Sequence, residues 1–486
     1  MSNDNTKLGV IALAALVVSA MIGGGIFSLP QNMAQSASSA AVIVSWIITG
    51  IGIFFLANTF RILADARPDA TTGIYAYARL GFGKFAGFQM AWSYWLSNIF
   101  GNVGYAVLLM DALDYFCPGV FTGGNNLWSI IGGSCIIWLM NFAVLRGVKQ
   151  AAGINVIGTI FKLIPLAVFI IALLFVFRWT VFADSFSHHA AAGAAKLGSF
   201  PEQVKSTMLV TLWAFIGIEG AVVVSNRARS PKDVGKATLL GFLCCLSIYV
   251  LISVLPFGRM SQHQLAGLSN PSTAPILQDA VHGNWGGVLM NLGVIIALLT
   301  SWLAFTIMIA QIPYAAAKDG SFPAVFAAEN AVGSPNVSLW VSSSIMQICM
   351  IVVGLANNAW NTMLSVTGVM ILPPYLFCTL YLWKICDTEE YPANLPVKKG
   401  MALFCGIAGT VYAVWMIYAA GLTYLLMAFC FLALGIPVYI RARKDDRKLK
   451  GDQEVMFTKT EGFAAFLIAC VAILAIILFA MHKVKL

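Results

Sequence analysis

Long apolar stretches recur along almost the whole chain and constrain its fold more than any other feature. A helix needs about 20 mostly apolar residues to cross the hydrocarbon core of a bilayer. Because lipid offers the backbone no hydrogen-bond partner, such segments must be helical. The pattern predicts an all-α integral membrane protein, with thirteen spans or, without the last, twelve. The candidate spans are 8–36, 40–61, 86–116, 127–146, 154–178, 204–226, 236–257, 286–315, 337–356, 359–384, 401–418, 421–441 and 462–482.

The composition excludes several classes of protein. Charged residues make up 10% of the 486 residues and hydrophobic residues 59%, whereas a soluble chain carries about 25% charged residues. A soluble enzyme, a nucleic-acid binder and a disordered chain are therefore excluded. The 10 cysteines lie in or near apolar segments and form no CxxC pair, which indicates small buried side chains rather than disulfides or metal ligands.

Positive charge is distributed unevenly between the two sides that the spans define. Of the 29 lysine and arginine residues, most fall on the side of the N-terminus, including the cluster at 441–450. Basic segments stay in the cytoplasm during insertion, so we expect a cytoplasmic N-terminus in a cell (inner) membrane. This bias explains the net charge of +9 without nucleic acid. The residues on the opposite side are Arg178, Lys196, Lys205, Arg259, Lys483 and Lys485.

Three consecutive glycines, Gly23, Gly24 and Gly25, lie inside the first span. Each costs a helix about 1 kcal/mol relative to alanine, so a helix that only crosses the membrane would not contain three. Close helix packing through small residues is one explanation. The other is a discontinuous helix, whose freed N–H groups face an anion and whose freed carbonyls face a cation. A zwitterionic amino acid presents both charges.

The sixth span has a second weak point, where Gly217 and Gly220 flank Glu219. Among the acidic residues, Glu219 is the one that the predicted spans place deep in the membrane. An intramembrane carboxylate is costly and indicates a functional site, unless neighbouring hydroxyls and amides hold it as a structural tie. The two interrupted spans are five apart. This spacing predicts two five-helix units of opposite topology with a substrate site between them.

Lys162 is a cation inside the fifth span. Its side chain can extend along the helix to the inner interface. Alternatively, it is held in the bundle, where its ammonium group occupies the place of a coupling sodium ion. The sequence offers no dense set of buried acids for sodium, so sodium coupling is not expected.

Four stretches stand in a characteristic order and spacing: GGGIF at 23–27, PDATTGIYAYARLG at 68–81, WAFIGIE at 213–219 and AKDGSFP at 317–323. Together they resemble the amino acid–polyamine–organocation superfamily over residues 6–440. Within it, LRGVKQAAGIN at 145–155 and KLIP at 162–165 resemble the arginine/ornithine antiporters among the basic amino acid/polyamine antiporters. Ala20 and Met90 differ from the asparagine and tyrosine of arginine/agmatine exchangers.

The resemblance implies a 5+5 inverted-repeat, LeuT-like transporter fold with two to three additional C-terminal helices. It implies a secondary-active antiporter that exchanges arginine for ornithine or a related cationic amino acid or amine by alternating access. Alternatives are a proton-coupled amino acid permease, or a histidine/histamine, lysine/cadaverine or tyrosine/tyramine exchanger.

Expected partners are small amino acids and membrane lipids, with a homodimer as an open alternative. The segments are a cytoplasmic N-terminus at 1–7, repeats at 8–178 and 204–384, two spans at 401–441, a basic cytoplasmic linker at 442–461 and the last span at 462–482.

The resemblance also assigns roles to residues. Trp302 corresponds to an inner aromatic gate, Glu219 and Tyr375 to an outer hydrogen-bonding gate, and Lys162 to the lysine that replaces sodium, or to a proton site. The cationic head group is expected between Trp213 and Trp302, since a desolvated ring face binds a cation with about 2 kcal/mol. The expected substrate-binding residues are Met21, Gly23, Gly24, Gly25, Ser93, Tyr94, Asn98, Trp213, Ile216, Trp302 and Thr367.

Two other classes fit less well. An intramembrane enzyme would need a nucleophile with a base, paired carboxylates or a metal cluster inside the spans, and the sequence shows none. His188 and His189 are adjacent, but they lie in a polar loop. An amino acid sensor of this fold would need an appended soluble domain for signalling. We therefore expect a transporter rather than an enzyme, without a cofactor or metal.

Overall fold

The computed structural model describes residues 10–70, 74–147, 151–186, 197–219, 231–388, 390–450 and 455–484. Within these ranges the protein is built from α-helices and short 3₁₀ helices, without a β-strand. The predicted N-terminal segment 1–7 and the last part of the sixth span, 220–226, lie outside the described residues.

The described residues before 220 form nine α-helices. The long ones follow the predicted apolar spans, with ends that differ by a few residues. The first is short because it stops just before the triple glycine, and a 3₁₀ helix, Gly24–Ser28, follows the interruption. In chain order they are α1 (Val10–Met21), α2 (Leu29–Ala34), α3 (Ser39–Ala66), α4 (Tyr75–Phe82), α5 (Lys84–Asp114), α6 (Leu127–Leu145), α7 (Ala151–Val176), α8 (Trp179–Phe186) and α9 (Phe200–Ala214).

The described residues after 230 form further α-helices, of which one is much longer than a membrane span. It covers both predicted spans 401–418 and 421–441 and bends at Gly421, whose φ of 81° is not helical. The helices are α10 (Pro231–Val254), α11 (Gln262–Ala266), α12 (Thr273–Ala280), α13 (Asn284–Lys318), α14 (Asn336–Val352), α15 (Ala359–Asp387), α16 (Lys399–Lys450) and α17 (Lys459–Ala480).

In the described ranges, 9 helices are long and apolar enough to cross a membrane, or 10 if α7 and α8, bent by 98°, form one span. The number is smaller than thirteen for two reasons. The first and sixth predicted spans are interrupted, which leaves α1 and α9 short, and α16 contains two predicted spans. The chain is a multi-pass membrane protein, and a total of thirteen spans stays a prediction.

The first part of the predicted basic linker 442–461 is helical, because α16 continues past the predicted end of its span to Lys450. Arg443 and Asp446 are buried there, 2% and 7% exposed, and the guanidinium of Arg443 lies 3.3 Å from the carboxylate of Asp446. Charge pairing along the helix and burial allow this basic segment to extend the helix instead of forming a solvated loop.

The most buried long helix, α5, packs against α13 and α15 at the centre of the bundle. Two serines of α5 tie it to α15. The hydroxyl of Ser93 donates to the carbonyl of Met370 at 2.6 Å, and the hydroxyl of Ser97 donates to the carbonyl of Thr367 at 2.8 Å. These bonds fix which face of α5 is presented to the interior.

Hydroxyl pairs connect α3 to α9. Ser45 and Thr207 share a hydrogen bond of 2.7 Å, and one turn further Thr49 and Thr211 share one of 2.6 Å. All four side chains are buried, so the bonds form where water cannot compete. The first half of the sixth span is thereby attached to the second span.

Candidate functional site

The first predicted interruption is present in the middle of the bundle. Helix α1 ends at Met21, and helical structure resumes only at Gly24. Between them Gly23 is extended, with φ −93° and ψ −169°. The carbonyl of Met21 accepts a hydrogen bond of 2.8 Å from the hydroxyl of Tyr249 on α10. The carbonyl at this helix end, which lacks the usual partner of a continuous helix, is thus satisfied by a side chain of another helix.

The glycines at this interruption are required by the close approach of aromatic side chains. A Cβ atom on Gly25 would lie 1.5 Å from the indole ring of Trp213, and one on Gly23 would lie 2.6 Å from the hydroxyl of Tyr105. Both distances are shorter than any normal contact between carbon and a neighbouring heavy atom. The two rings can pack on the backbone only because these positions carry no side chain.

The second predicted interruption is also present. Helix α9 ends at Ala214, and residues 215–219 form turns. Gly217 has a φ of 103°, in the left-handed region that is favourable for glycine and strained for other residues. Trp213, next to the end of α9, faces the interruption in the first span. The two weak points that the glycines predict are thus brought together.

A small cavity of about 30 Å³ lies between the two interruptions. Six predicted binding residues line it: Met21, Gly23, Asn98, Trp213, Ile216 and Thr367. An amino acid is larger than this volume, so the lining side chains must rearrange to admit one. The sequence reasoning missed the other lining residues, which are Ile26, Ser97, Gly101, Tyr105, Ala214, Tyr249 and Phe305.

The polar character of the cavity comes from neutral groups. None of the described residues that line it carries a charge. The Asn98 Oδ1 atom and the Thr367 hydroxyl are buried without a hydrogen-bond partner, which is unusual for polar atoms in a folded protein. Together with four aromatic side chains, these groups can hold a cation by oxygen contacts and ring faces.

Five predicted binding residues lie outside the cavity lining. Gly24 and Gly25 pack against other helices at the first interruption, and Ser93 bonds to α15 as described above. Tyr94 and Trp302 are buried without lining the cavity.

Phe305 occupies the place in the lining that was expected for Trp302. The two residues are three apart on α13, and Trp302 is fully buried in the packed interior. The ring of Phe305 lies 5.7 Å from that of Tyr105, edge to face, and Tyr105 lies 6.2 Å from Trp213. The aromatic wall of the cavity is therefore built by Tyr105, Trp213 and Phe305.

Glu219, at the end of the turn that forms the second interruption, accepts three hydrogen bonds. The hydroxyl of Tyr94 donates to its carboxylate at 2.9 Å, the hydroxyl of Tyr375 at 2.7 Å and the backbone N–H of Gly217 at 3.1 Å. The carboxylate is 8% exposed. These bonds join α5, α15 and the turn after α9, so the three side chains close one end of the cavity.

The opposite end of the cavity is closed by two tryptophans. Trp360 of α15 packs edge-on against Trp213, with ring centroids 5.3 Å apart. Along α15, Trp360 comes two turns before the cavity residue Thr367, and Tyr375 comes two turns after it, nearer to Asp387. The predicted orientation would make that end cytoplasmic and so conflicts with an outer gate at Glu219 and Tyr375, whose role as a gate stays a prediction.

Lys162 is buried in the bundle, with a relative exposure of 0%. Its side chain therefore does not extend to the inner interface. Burial fits the alternative prediction of a fixed ammonium group inside the fold. Its role in place of a sodium ion stays a prediction.

Residues 8–436 match the amino acid permease family, so the chain belongs to that family. The match covers the two interrupted helices, the cavity and both closures. The protein is thus a transporter rather than an enzyme.

Relatives of known name match over the full length of the chain. The arginine/agmatine antiporter of Chlamydia felis (strain Fe/C-56) is 55% identical over 486 residues, which cover 100% of this chain and 99% of the relative. A putative amino-acid transporter of Clostridium perfringens (strain 13 / Type A) is 57% identical over 479 residues, with 98% of each chain covered. The arginine/agmatine antiporter of Chlamydia trachomatis serovar L2 is 52% identical over 480 residues, covering 99% of this chain and 98% of the relative.

Proposed function

We propose that this protein is a basic amino acid antiporter that takes arginine as one substrate and exchanges it for a cationic product. The observation that carries the proposal is the neutral, aromatic cavity between two interrupted helices. Its unpartnered oxygens, on Asn98 and Thr367, can accept hydrogen bonds from a guanidinium or ammonium group. The backbone at the first interruption offers N–H groups to the substrate carboxylate.

The closures on both sides of the cavity support exchange by alternating access. The Trp213–Trp360 contact separates the cavity from one side, and the hydrogen bonds to Glu219 separate it from the other. An antiporter must open one closure at a time, so that substrate leaves only when another molecule returns. No charged residue among the described lining holds the cation permanently, which favours release as much as binding.

The counter-substrate is the open part of the proposal. The motifs at 145–155 and 162–165 favour ornithine, while relatives of 52–56% identity named arginine/agmatine antiporters favour agmatine. The two exchanges differ in charge. Ornithine carries the same net charge as arginine, whereas agmatine lacks the carboxylate and carries one more positive charge. Only the exchange of arginine for agmatine moves net charge across the membrane.

Exchange in proteoliposomes tests this function. Vesicles preloaded with agmatine, ornithine or arginine are expected to accumulate labelled arginine at least about tenfold faster than empty vesicles, because the return step needs an occupied cavity. A potential-sensitive dye then distinguishes the products, since internal agmatine but not ornithine generates a potential. Arginine uptake into empty vesicles driven by a pH gradient would instead indicate a proton-coupled permease. Preference for histamine, cadaverine or tyramine would indicate one of the other exchangers.

Replacement of Phe305 by alanine is expected to raise the KM for arginine about tenfold, because the loss of a ring that faces a desolvated cation costs about 1–2 kcal/mol. Phe305→Trp should preserve the KM, since it keeps an aromatic face. Trp302→Phe is the matched control on the same helix and should leave the KM within about twofold, because Trp302 does not line the cavity. A KM that responds to Trp302→Phe but not to Phe305→Ala would contradict the assignment.

We further propose that the N-terminus is cytoplasmic and that the protein lies in the cell (inner) membrane. The distribution of lysine and arginine supports this orientation. Cys117 is exposed after the end of α5, on the side opposite to the Glu219 closure. In intact cells an impermeant maleimide should therefore label Cys117, and protection until the cells are lysed would reverse the orientation. A homodimer and bound lipids stay expectations.

A further inference from the structure

A second and larger cavity, of about 490 Å³, lies on the far side of the two tryptophans from the central cavity. We call it the vestibule, and the residues used below are Gln31, Asp111, Asp114, Asn291 and Trp360, all of which line it. Trp360 contributes to its floor and contacts Trp213, which lines the central cavity. One aromatic contact therefore separates the vestibule from the proposed substrate site.

The charge of the vestibule is opposite to that of the protein. The chain as a whole carries a net charge of +9. Among the described residues that line the vestibule, the charged side chains are Asp111 and Asp114 alone. They are three residues apart near the end of α5 and therefore face the same side of the helix. Asp114 accepts a hydrogen bond of 2.8 Å from the backbone N–H of Phe121, which orients its carboxylate.

Buried polar atoms without partners provide an independent indication of a ligand. Gln31, Asn291 and Trp360 are 6%, 1% and 2% exposed. The Oε1 atom of Gln31, the Oδ1 atom of Asn291 and the Nε1 atom of Trp360 have no hydrogen-bond partner. An unpaired buried polar group costs about 1–3 kcal/mol, and rotation of these three lining side chains toward the vestibule would let a bound molecule pair with them.

The donors and acceptors define the chemistry of that molecule. Two carboxylates and two amide oxygens accept hydrogen bonds, as a guanidinium or ammonium group requires. The indole N–H of Trp360 donates one, as a carboxylate requires. A single metal ion would fill little of a cavity of about 490 Å³. A cationic amino acid matches the charge and fits within the volume.

We infer that the vestibule is a second binding site for the cationic amino acid, occupied before the Trp213–Trp360 contact opens to the central cavity. The inference rests on the proposed function, since it assumes the same substrate class. Substrate held there is concentrated beside the closed tryptophans. The site should therefore lower the KM from the vestibule side without taking part in the rearrangement that limits the maximal rate.

The test compares arginine exchange by wild type, the double variant Asp111→Asn/Asp114→Asn and the control Asp184→Asn, an exposed carboxylate on α8 outside the vestibule. All are reconstituted in vesicles preloaded with arginine. Labelling of Cys117 by an impermeant maleimide reports the fraction of protein whose vestibule faces the outer solution. We expect the double variant to raise the KM from the vestibule side about tenfold at low ionic strength, with the maximal rate within about twofold. Asp184→Asn should keep the wild-type KM on both sides, and the double variant should keep the wild-type KM from the side opposite to the vestibule.

An uncharged variant distinguishes a binding site from long-range attraction alone. Asn291→Leu removes an unpartnered oxygen and keeps the charge of the vestibule. If arginine binds there, this variant should raise the KM about threefold at both low and high ionic strength, because a lost contact is not screened by salt. An unchanged KM in Asn291→Leu, or in the double aspartate variant, overturns the inference while wild-type exchange continues. If wild type does not exchange arginine, the proposed function fails instead.

Discussion

Replacement of Gly25 by alanine is expected to reduce arginine exchange about a hundredfold or more, the equivalent of about 2.7 kcal/mol in an activation barrier. The added Cβ would lie 1.5 Å from the ring of Trp213, so the indole must leave its position. That ring forms a wall of the central cavity and also the contact with Trp360. One methyl group therefore disturbs both the site and its closure. Initial exchange rates in proteoliposomes measure the effect.

The matched control for this substitution is Gly104→Ala on α5. A Cβ there would meet Met363 at 3.4 Å and Trp360 at 3.6 Å, which are ordinary contacts, and alanine favours the helix. Gly104→Ala should retain wild-type exchange. Both variants should elute as monodisperse protein in detergent, which excludes misfolding as the cause. Wild-type exchange by Gly25→Ala would show that Trp213 is free to move and would remove it from the cavity wall.

Replacement of Glu219 by alanine is expected to produce the second large loss. The substitution removes the acceptor for both tyrosine hydroxyls, and a hydrogen bond to a charged group contributes about 1.5–3 kcal/mol. The closure at Glu219 would no longer be held. We expect exchange to fall at least about tenfold. We also expect preloaded arginine to leave into substrate-free solution, because the closed state no longer couples the two directions.

Smaller changes at the same closure should give graded effects. Tyr94→Phe and Tyr375→Phe each remove one of the bonds to Glu219, and each should increase the leak less than Glu219→Ala. Glu390→Ala, which removes an exposed carboxylate in a loop, is the control and should leave both exchange and leak unchanged. Efflux of labelled arginine with and without external substrate measures the coupling. A Glu219→Ala variant with normal exchange and no leak would show that the carboxylate is only a structural tie.

The two helix interruptions could be predicted from the sequence because glycine is costly in a helix wherever the helix lies. The glycines at 23–25 and at 217 mark both places where the chain leaves helical geometry. Glu219 could be identified on the same ground, since a carboxylate in an apolar span needs partners. These signals are local and depend on the residue type alone.

The residues that face the cavity could be predicted only in part. Hydrophobic periodicity does not show which face of a helix points to the centre when every face is apolar, as in α5 and α13. The resemblance, and not the periodicity, assigns Trp302 to the position that Phe305 occupies, one turn away on α13. Tyr94 was expected in the lining, but its helix rotation directs the hydroxyl to Glu219. Tyr105 and Tyr249 had no sequence signal, because their contacts join distant helices.

The basic end of α16 shows another limit of the sequence. A run of arginines and lysines near the end of a span favours a solvated loop, yet the helix continues through it to Lys450. Arg441 and Asp445 are four residues apart in the helix, and the Nε atom of Arg441 lies 3.2 Å from the Oδ1 atom of Asp445. The acidic residues needed for pairing were visible in the sequence, but the burial of Arg443 depends on tertiary packing.

The paired hydroxyls between α3 and α9 restrict how these helices can move when the cavity opens to the other side of the membrane. Hydrogen bonds connect the two helices at successive turns, between Ser45 and Thr207 and between Thr49 and Thr211. Translation of one helix along the other would break both hydrogen bonds where water cannot replace them, whereas tilting the two helices together would break neither. Trp213, near the end of α9, is therefore expected to move together with α3 as one rigid unit. The wall of the cavity that Trp213 forms would then change position only when both helices tilt.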